Sequence, residues 1–246
     1  MRASFPGLVA LEVTTRCNLK CVMCPHGIGA IAQPRDADPD VVSALLPAIM
    51  QAETVHLNGV GEPMLSETFW SLIDLLKGRE SPKIDFNTNG LLLTDRNIAR
   101  LSGAPLGTVL VSFDAAHADT YRRIRGGAFD KLVDGTRRLV STLSDCAQIK
   151  GTFVVMRENI GEMTAFVDLA RDMGLKSVWF GTLTDPAISR DTWVVERASG
   201  WQFRYSEQML ARDSEELRNA VRAARIHGEA LGIAVDGMDM WQWGSV

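Results

Sequence analysis

Residues 8–27 read LVALEVTTRCNLKCVMCPHG and contain the feature that decides the fold. An apolar and β-branched run, predicted as a strand over residues 8–14, leads directly into a loop with Cys17, Cys21 and Cys24. The spacing is Cys-x3-Cys-x2-Cys, and the fourth cysteine of the chain lies far along the sequence. A four-iron cluster normally takes four thiolates. Three local cysteines therefore leave one iron open to a small molecule, as catalytic zinc sites keep one position open.

Length and composition limit the class of protein. The 246 residues are 46% hydrophobic and 23% charged, which is ordinary for a soluble globular chain that can bury a sizeable core. The net charge of −4 gives no reason to expect a nucleic-acid partner. No apolar run approaches the roughly 20 residues that span a bilayer, and the N-terminus does not look like a secretory signal. We therefore expect no membrane partner and a cytoplasmic location, which suits clustered thiols.

Strand and helix patterns alternate along the chain. After the first strand, β-branched runs predict further strands at residues 54–57, 83–86, 107–113, 149–156 and 177–180, with amphipathic helices between them. Asp38 and Pro39 are a typical helix start, and Asn159 with Glu162 resembles a capping box. We predict an irregular stretch at 182–206, then a long helix and a short strand. Six β-then-α units indicate an α/β protein with a parallel sheet.

Several glycine-rich or polar stretches follow the predicted strands. The second strand leads into residues 57–63, LNGVGEP, and the third into residues 86–90, FNTNG. The fourth ends in residues 111–114, VSFD, and residues 121–127, YRRIRGG, follow. Parallel α/β folds place their chemistry at the carboxyl ends of strands. These stretches are therefore the candidates for a shared site.

The cysteine spacing and these stretches together resemble the radical S-adenosylmethionine (SAM) superfamily. The resemblance implies a partial (β/α)6 TIM-like barrel with a parallel sheet and a C-terminal helical segment. It implies a single domain over residues 1–246, with a core at about 9–182 and a C-terminal excursion with a helix and a short strand at 183–246. It also implies a 4Fe-4S cluster on the three cysteines, with SAM bound to the fourth iron.

The resemblance further implies a SAM-binding set. In the family, a Gly-Gly-Glu-Pro segment receives the SAM amino group, and here Val60 replaces the first glycine of the pair. A serine and an arginine bind the SAM carboxylate, and the end of the fifth strand packs on adenine, where Asn159 is a second candidate contact. The candidates carried over to this chain are Gly59, Gly61, Glu62, Pro63, Ser112, Asp114, Arg125 and Val155.

The implied activity is reductive cleavage of SAM to a 5′-deoxyadenosyl radical that abstracts hydrogen from a substrate. A peptide and a small polar metabolite such as a sugar are the two substrate classes considered, with flavodoxin or ferredoxin as the electron donor. No catalytic residue is assigned. The alternative is a non-catalytic iron–sulfur or zinc module, a redox sensor or electron carrier, in which His26 completes a zinc site.

The three-cysteine segment is similar to that of members with a C-terminal SPASM or Twitch extension. Those extensions hold auxiliary clusters on further cysteines, and the sequence has none after Cys146. A lone cysteine is usually a small buried hydrophobe, and we predict that role for Cys146. Trp241 and Trp243 are expected to pack in the core.

Overall fold

The computed structural model describes residues 6–184, 192–211 and 213–237, and the chain divides into two compact units. The first unit comprises residues 1–18, 31–111 and 134–149. The second comprises residues 19–30, 112–133 and 150–246. Trp241 and Trp243 lie outside the described residues. The single domain over residues 1–246 stays a prediction.

The first unit is built on parallel strands that pair in chain order. Helices separate consecutive strands, as expected for right-handed β–α–β crossovers. The strands are β1 (Leu8–Leu11), β2 (Thr54–Leu57), β3 (Lys83–Thr88) and β4 (Leu106–Ser112), and the intervening helices are α1 (Pro39–Ile49), α2 (Glu67–Leu76) and α3 (Asp95–Leu101).

Side-chain caps fix the helix starts of the first unit. Asp38 accepts a hydrogen bond from the amide of Asp40 at 2.9 Å, and Pro39 occupies the first turn of α1, which confirms the predicted start. Thr94 caps α3 by accepting from the amide of Asn97 at 3.3 Å. Each cap satisfies an amide that has no partner within its helix.

The two faces of the first unit's strands differ in burial. One face is apolar and closed to solvent, with Leu57, Ile84, Phe86, Val109 and Val111 all fully buried. The opposite face is more polar, and its half-buried side chains include His56, Asp85, Asn87 and Thr108. Parallel strands are usually covered on both faces. On this face, Nε2 of His56 lies 3.3 Å from Oδ1 of Asn87, and Oδ1 of Asp85 accepts from the Thr108 amide at 2.6 Å.

Asp74 on α2 binds two neighbouring cations. Its carboxylate accepts from Arg100 at 2.7 Å and from Lys77 at 2.8 Å, and the Arg100 guanidinium lies 4.7 Å from the centre of the Trp70 ring. The hydrogen bond from Arg100, followed by that from Lys77, lowers the pKa of Asp74 to about 2. The carboxylate is therefore ionised well below its ordinary titration range.

The second unit also contains parallel strands, in the order β5 (Gln148–Val155), β6 (Ser177–Thr182) and β9 (Ala234–Gly237). Three phenylalanine rings form its centre, with the Phe153 and Phe166 centroids 5.1 Å apart and Phe180 within 5.9 Å of both. Its helices are α4 (Ala118–Ile124), α6 (Met163–Asp172), α7 (Tyr205–Gln208) and α8 (Glu215–Leu231), whereas α5 (Phe129–Leu143) has residues in both units.

The stretch predicted to be irregular contains regular structure. Residues Val194–Glu196 form β7 and Gln202–Arg204 form β8, which pair antiparallel as a small ribbon before α7. The prediction of an irregular segment was wrong for this part, because three-residue strands are too short to show a hydrophobic period. Among the described residues, none of the helices has the length and apolar character needed to cross a membrane.

Candidate functional site

The cysteine loop of the second unit consists of two consecutive tight turns. The amide of Cys24 donates to the Cys21 carbonyl at 3.0 Å, and the amide of Gly27 donates to the Cys24 carbonyl at 2.7 Å. A β-carbon at Gly27 would overlap the Cys21 carbonyl oxygen. Glycine is therefore required there for the chain to fold back on the two cysteines.

Arg125 connects this loop to the end of β4. Its Nε and Nη2 donate to Oδ2 of Asp114 at 2.8 and 2.6 Å, and its Nη1 lies 3.8 Å from Sγ of Cys21. The Asp114 side chain is fully buried, and its Oδ1 accepts from the Val154 amide at 2.7 Å. Asp114 also has a φ of +58°, an uncommon conformation for a residue other than glycine. Two residues predicted to bind SAM are thus bonded to each other, and one of them contacts a predicted cluster ligand.

The charge of Arg125 is maintained despite its burial. Desolvation alone would lower the pKa of Arg125, but the adjacent Asp114 and Cys21 more than offset it and raise that pKa above its ordinary value. A buried arginine that is paired in this way remains a cation.

Asn159 holds the loop that carries Asp114. Its amide nitrogen donates to the carbonyls of Asp114 and Val154, both at 2.9 Å, and its oxygen accepts from the Met156 amide at 2.8 Å. The side chain is fully buried and makes no helix-capping bond. The capping-box interpretation was therefore wrong, because the side chain of Asn159 bonds to the ends of two strands.

Glu162, the second residue of the predicted capping box, also bonds to the loop after Asp114. Its Oε2 accepts from the amides of Ala116 at 2.7 Å and His117 at 3.2 Å. Both side chains of the pattern therefore fix the backbone around Asp114. No short-range signal in the sequence points to either contact.

Ser112 and Val155 occupy strand ends of the second unit. The Thr152 hydroxyl donates to the Ser112 hydroxyl at 3.3 Å, and the Phe113 amide donates to the Thr152 carbonyl at 2.9 Å. Ser112 is half-buried, whereas the Val155 side chain is fully buried. Any contact of Val155 with a ligand therefore has to use its backbone.

In the first unit, Glu62 organises the segment after β3. Its Oε1 accepts from the Thr88 hydroxyl at 2.9 Å, and its Oε2 accepts from the Asn89 amide at 2.7 Å. The side-chain nitrogen of Asn89 in turn lies 2.7 Å from Oδ1 of Asn18 and 3.8 Å from Sγ of Cys17. A candidate SAM-binding carboxylate thus orients an amide donor against a predicted cluster ligand.

The glycines of the LNGVGEP stretch permit close backbone contact. A β-carbon at Gly61 would overlap the Thr14 carbonyl oxygen, and one at Gly59 would overlap the Glu12 carboxylate, which accepts from the amide of Val60 at 2.7 Å. Pro63, which is buried, then begins a single 3-10 turn at Pro63–Leu65. The segment therefore lies directly against the chain that leads into the cysteines.

The sulfur environment fits a cluster. Thiolates of an iron–sulfur centre carry negative charge and are stabilised by hydrogen bonds to sulfur and by nearby cations. Cys17 receives an amide N–H in the first unit, and Cys21 receives a guanidinium N–H in the second. Cys146, by contrast, is exposed, so its predicted burial was wrong. Across residues 6–184, 192–211 and 213–237, no group of three or more histidine, cysteine or acidic side chains is arranged to hold a single metal ion.

The fold is similar to that of a solved protein structure. The structure of Streptococcus suis SuiB bound to S-adenosylmethionine is similar over 95% of this chain and 51% of that chain, with a TM-score of 0.70 and 14% sequence identity. A likeness at this identity concerns the fold alone. It confirms the predicted fold class, an α/β protein with the parallel sheet of the partial (β/α)6 barrels.

The chain belongs to the radical SAM superfamily, whose family model matches residues 11–182. Mycofactocin maturase MftC of Mycolicibacterium smegmatis is 29% identical over 171 residues, 69% of this chain and 43% of MftC. A probable GTP 3′,8-cyclase of Methanocaldococcus jannaschii is 25% identical over 168 residues, 67% of this chain and 55% of that protein. The chain thus spans about half the length of these relatives. Membership confirms the predicted class, radical SAM enzymes, and the cofactors of that class, a 4Fe-4S cluster and SAM.

Proposed function

We propose that this chain binds a 4Fe-4S cluster through Cys17, Cys21 and Cys24 and cleaves SAM reductively to abstract hydrogen from a substrate. When bound, the cluster supplies the electron that splits SAM into methionine and a 5′-deoxyadenosyl radical. The observation that carries the proposal is the 3.8 Å contact between Nη1 of Arg125 and Sγ of Cys21. It joins a candidate carboxylate-binding residue to a candidate cluster ligand across 104 positions of sequence.

The cation of Arg125 is suited to a carboxylate ligand. A guanidinium presents a planar fork that matches a carboxylate, and burial strengthens the interaction. Asp114 holds the fork in one orientation through two short bonds. We assign to Arg125 the orientation of the SAM carboxylate, with Ser112 as a second donor and Asp114 as the residue that positions Arg125.

The LNGVGEP stretch is assigned to the SAM amino group. An ammonium has three donors and needs carbonyl or carboxylate acceptors. Gly59 and Gly61 allow close approach of the backbone, and the neighbouring Glu62 has a buried carboxylate. Pro63 fixes the turn that follows, and the backbone of Val155 is assigned to adenine.

A peptide is the substrate class we favour. MftC is a maturase, and SuiB has been solved bound to its precursor peptide SuiA, with a TM-score of 0.69 to this chain. Peptide backbones offer repeated donors and acceptors. The more polar face of the first unit's strands carries half-buried hydrogen-bonding side chains at His56, Asp85, Asn87 and Thr108.

A small polar metabolite is the second candidate. The same polar face suits the hydroxyl or amide groups of such a compound, and the likeness to a GTP 3′,8-cyclase favours this class. Flavodoxin or ferredoxin is the proposed electron donor, and the cytoplasm the proposed location.

The test is anaerobic reconstitution of the protein with iron and sulfide, followed by reduction in the presence of SAM. Formation of 5′-deoxyadenosine, measured by liquid chromatography, is the expected result. A tightly held zinc ion with no visible-range cluster absorption and no SAM cleavage would instead support the non-catalytic module. Deuterium transfer into 5′-deoxyadenosine from labelled peptide or labelled metabolite pools then separates the two substrate classes.

A further inference from the structure

The β7–β8 ribbon of the second unit carries an arginine that bonds to the cysteine loop. Arg197, immediately after β7, donates from Nη2 to the Lys20 carbonyl at 3.1 Å and to the Ile124 carbonyl at 2.9 Å. Its Nε donates to the Arg123 carbonyl at 2.7 Å. One guanidinium thus joins the residue before Cys21 to the residue before Arg125.

Trp193, immediately before β7, holds the other side of Cys21. The indole N–H of Trp193 donates to the Val22 carbonyl at 2.8 Å, and the amide of Val22 donates to the Ile124 carbonyl at 2.9 Å. Trp193 is 2% exposed, and its ring centroid lies 4.9 Å from that of Tyr205. These contacts fix the backbone on both sides of the thiol.

The ribbon also contributes apolar packing. Val22 and Ile124 share a buried cluster with Trp193, Val195 and Phe203. A loop held by both packing and directed hydrogen bonds has little freedom to reorient. The position of the Cys21 sulfur relative to the Arg125 fork therefore depends on the ribbon.

We propose that the β7–β8 ribbon is a clamp on the cysteine loop, with Arg197 as the positioning residue that sets Cys21 against Arg125. This inference rests on the proposed function, since it concerns how the loaded cluster and SAM are aligned. Arg197 acts in two ways. Its fork joins three carbonyls, and it places a cationic guanidinium 3.1 Å from the carbonyl of Lys20, the residue before Cys21.

Two variants separate these contributions. Arg197→Lys keeps the positive charge but loses the planar fork that reaches three carbonyls. Arg197→Gln removes the charge as well. Arg204→Gln is the matched control, because Arg204 is exposed on β8 and bonds to the neighbouring side chain of Gln202. The measurements are iron and sulfide content, the cluster's midpoint potential, and the change that SAM causes in the electron paramagnetic resonance spectrum of the reduced cluster.

Both Arg197 variants are expected to retain near wild-type iron, because all three cysteines remain. Both should need several-fold more SAM for the half-maximal spectral change. Only Arg197→Gln should lower the midpoint potential, since losing a nearby cation disfavours the added electron. Arg204→Gln should behave as the parent protein does.

Unchanged potential and unchanged SAM titration in both Arg197 variants would overturn the clamp. If Arg197→Gln fails to fold, Trp193→Phe provides the second test, because it keeps an aromatic ring and removes the indole N–H that donates to the Val22 carbonyl. A Trp193→Phe protein with a parental SAM titration would count against the clamp. If the parent protein never binds a cluster, the proposed function is wrong. If the parent cleaves SAM and the variants behave as the parent does, only the clamp proposal is wrong.

Discussion

Replacement of Asp114 by asparagine tests the buried ion pair at the centre of the second unit. Asparagine matches the size of aspartate and tolerates the positive φ of +58° at this position, so backbone strain is not added. It removes the charge opposite Arg125. Arg125 would then be a buried cation, 11% exposed, without its carboxylate partner.

The expected cost follows from that burial. Breaking a buried pair by removing one partner costs about 3–5 kcal/mol, because the remaining charge is left uncompensated. For a chain of this length, about 2–4 °C of melting temperature corresponds to 1 kcal/mol. We therefore expect Asp114→Asn to melt about 6–20 °C below the parent. The Arg122–Asp119 pair, whose side chains are 68% and 80% exposed, provides the contrast, since exposed pairs contribute about 0–1 kcal/mol.

The assay is thermal unfolding of cluster-free protein followed by circular dichroism at neutral pH. Asp119→Asn is the matched control and should melt close to the parent. Adding Arg125→Met to Asp114→Asn should recover part of the loss, because no unpaired charge is then buried. Equal melting temperatures for Asp114→Asn and Asp119→Asn would refute the reasoning, as would a double variant that loses the sum of both single effects.

Three further predictions concern other parts of the chain. Cys21→Ala should lose the cluster's visible absorption and iron after reconstitution, whereas Cys146→Ala, at an exposed position, should keep both; equal iron content would contradict the ligand assignment. Gly61→Ala should lower the free energy of unfolding by about 1–3 kcal/mol in urea titrations, because its β-carbon would overlap a carbonyl oxygen. The control Gly161→Ala, at a position with open space around it, should change that free energy little. Asp74→Asn should be less stable than the parent near neutral pH, because the pKa of Asp74 in the folded protein is lowered to about 2. The difference in stability should hold above about pH 4 and disappear as the pH falls towards 2. A difference that persists unchanged at pH 2 would show that the carboxylate charge is not its source.

Local signals in the sequence predicted the local structure well. The Asp38–Pro39 helix start depends on a side chain bonding two residues away, and the structure has that bond. The parallel sheet followed from alternating strand and helix periods. Asn159 was misread because a residue suited to a helix cap is equally suited to bond distant backbone, and only the fold decides between them.

The contacts of the β7–β8 ribbon could not be predicted from the sequence, for a related reason. Arg197 bonds to Arg123 and Lys20, which precede it by 74 and 177 positions. An arginine in a short polar stretch has no period and no motif to distinguish it from a solvated surface charge. Its role is defined by which carbonyls the fold brings within reach, and a single sequence does not record that.

The proposed function gives the buried Arg125–Asp114 pair a role that stability alone does not. Well-packed apolar residues of similar volume would stabilise such a position at least as well, because a buried pair offsets its own desolvation only with difficulty. What apolar residues cannot provide is a fixed positive charge 3.8 Å from the sulfur of Cys21. In the proposed site that charge would bind the carboxylate of SAM beside a negatively charged cluster, and Asp114 holds the guanidinium in one orientation in advance. Under the proposed function, the energetic cost of burying the pair is the cost of arranging the SAM site in advance.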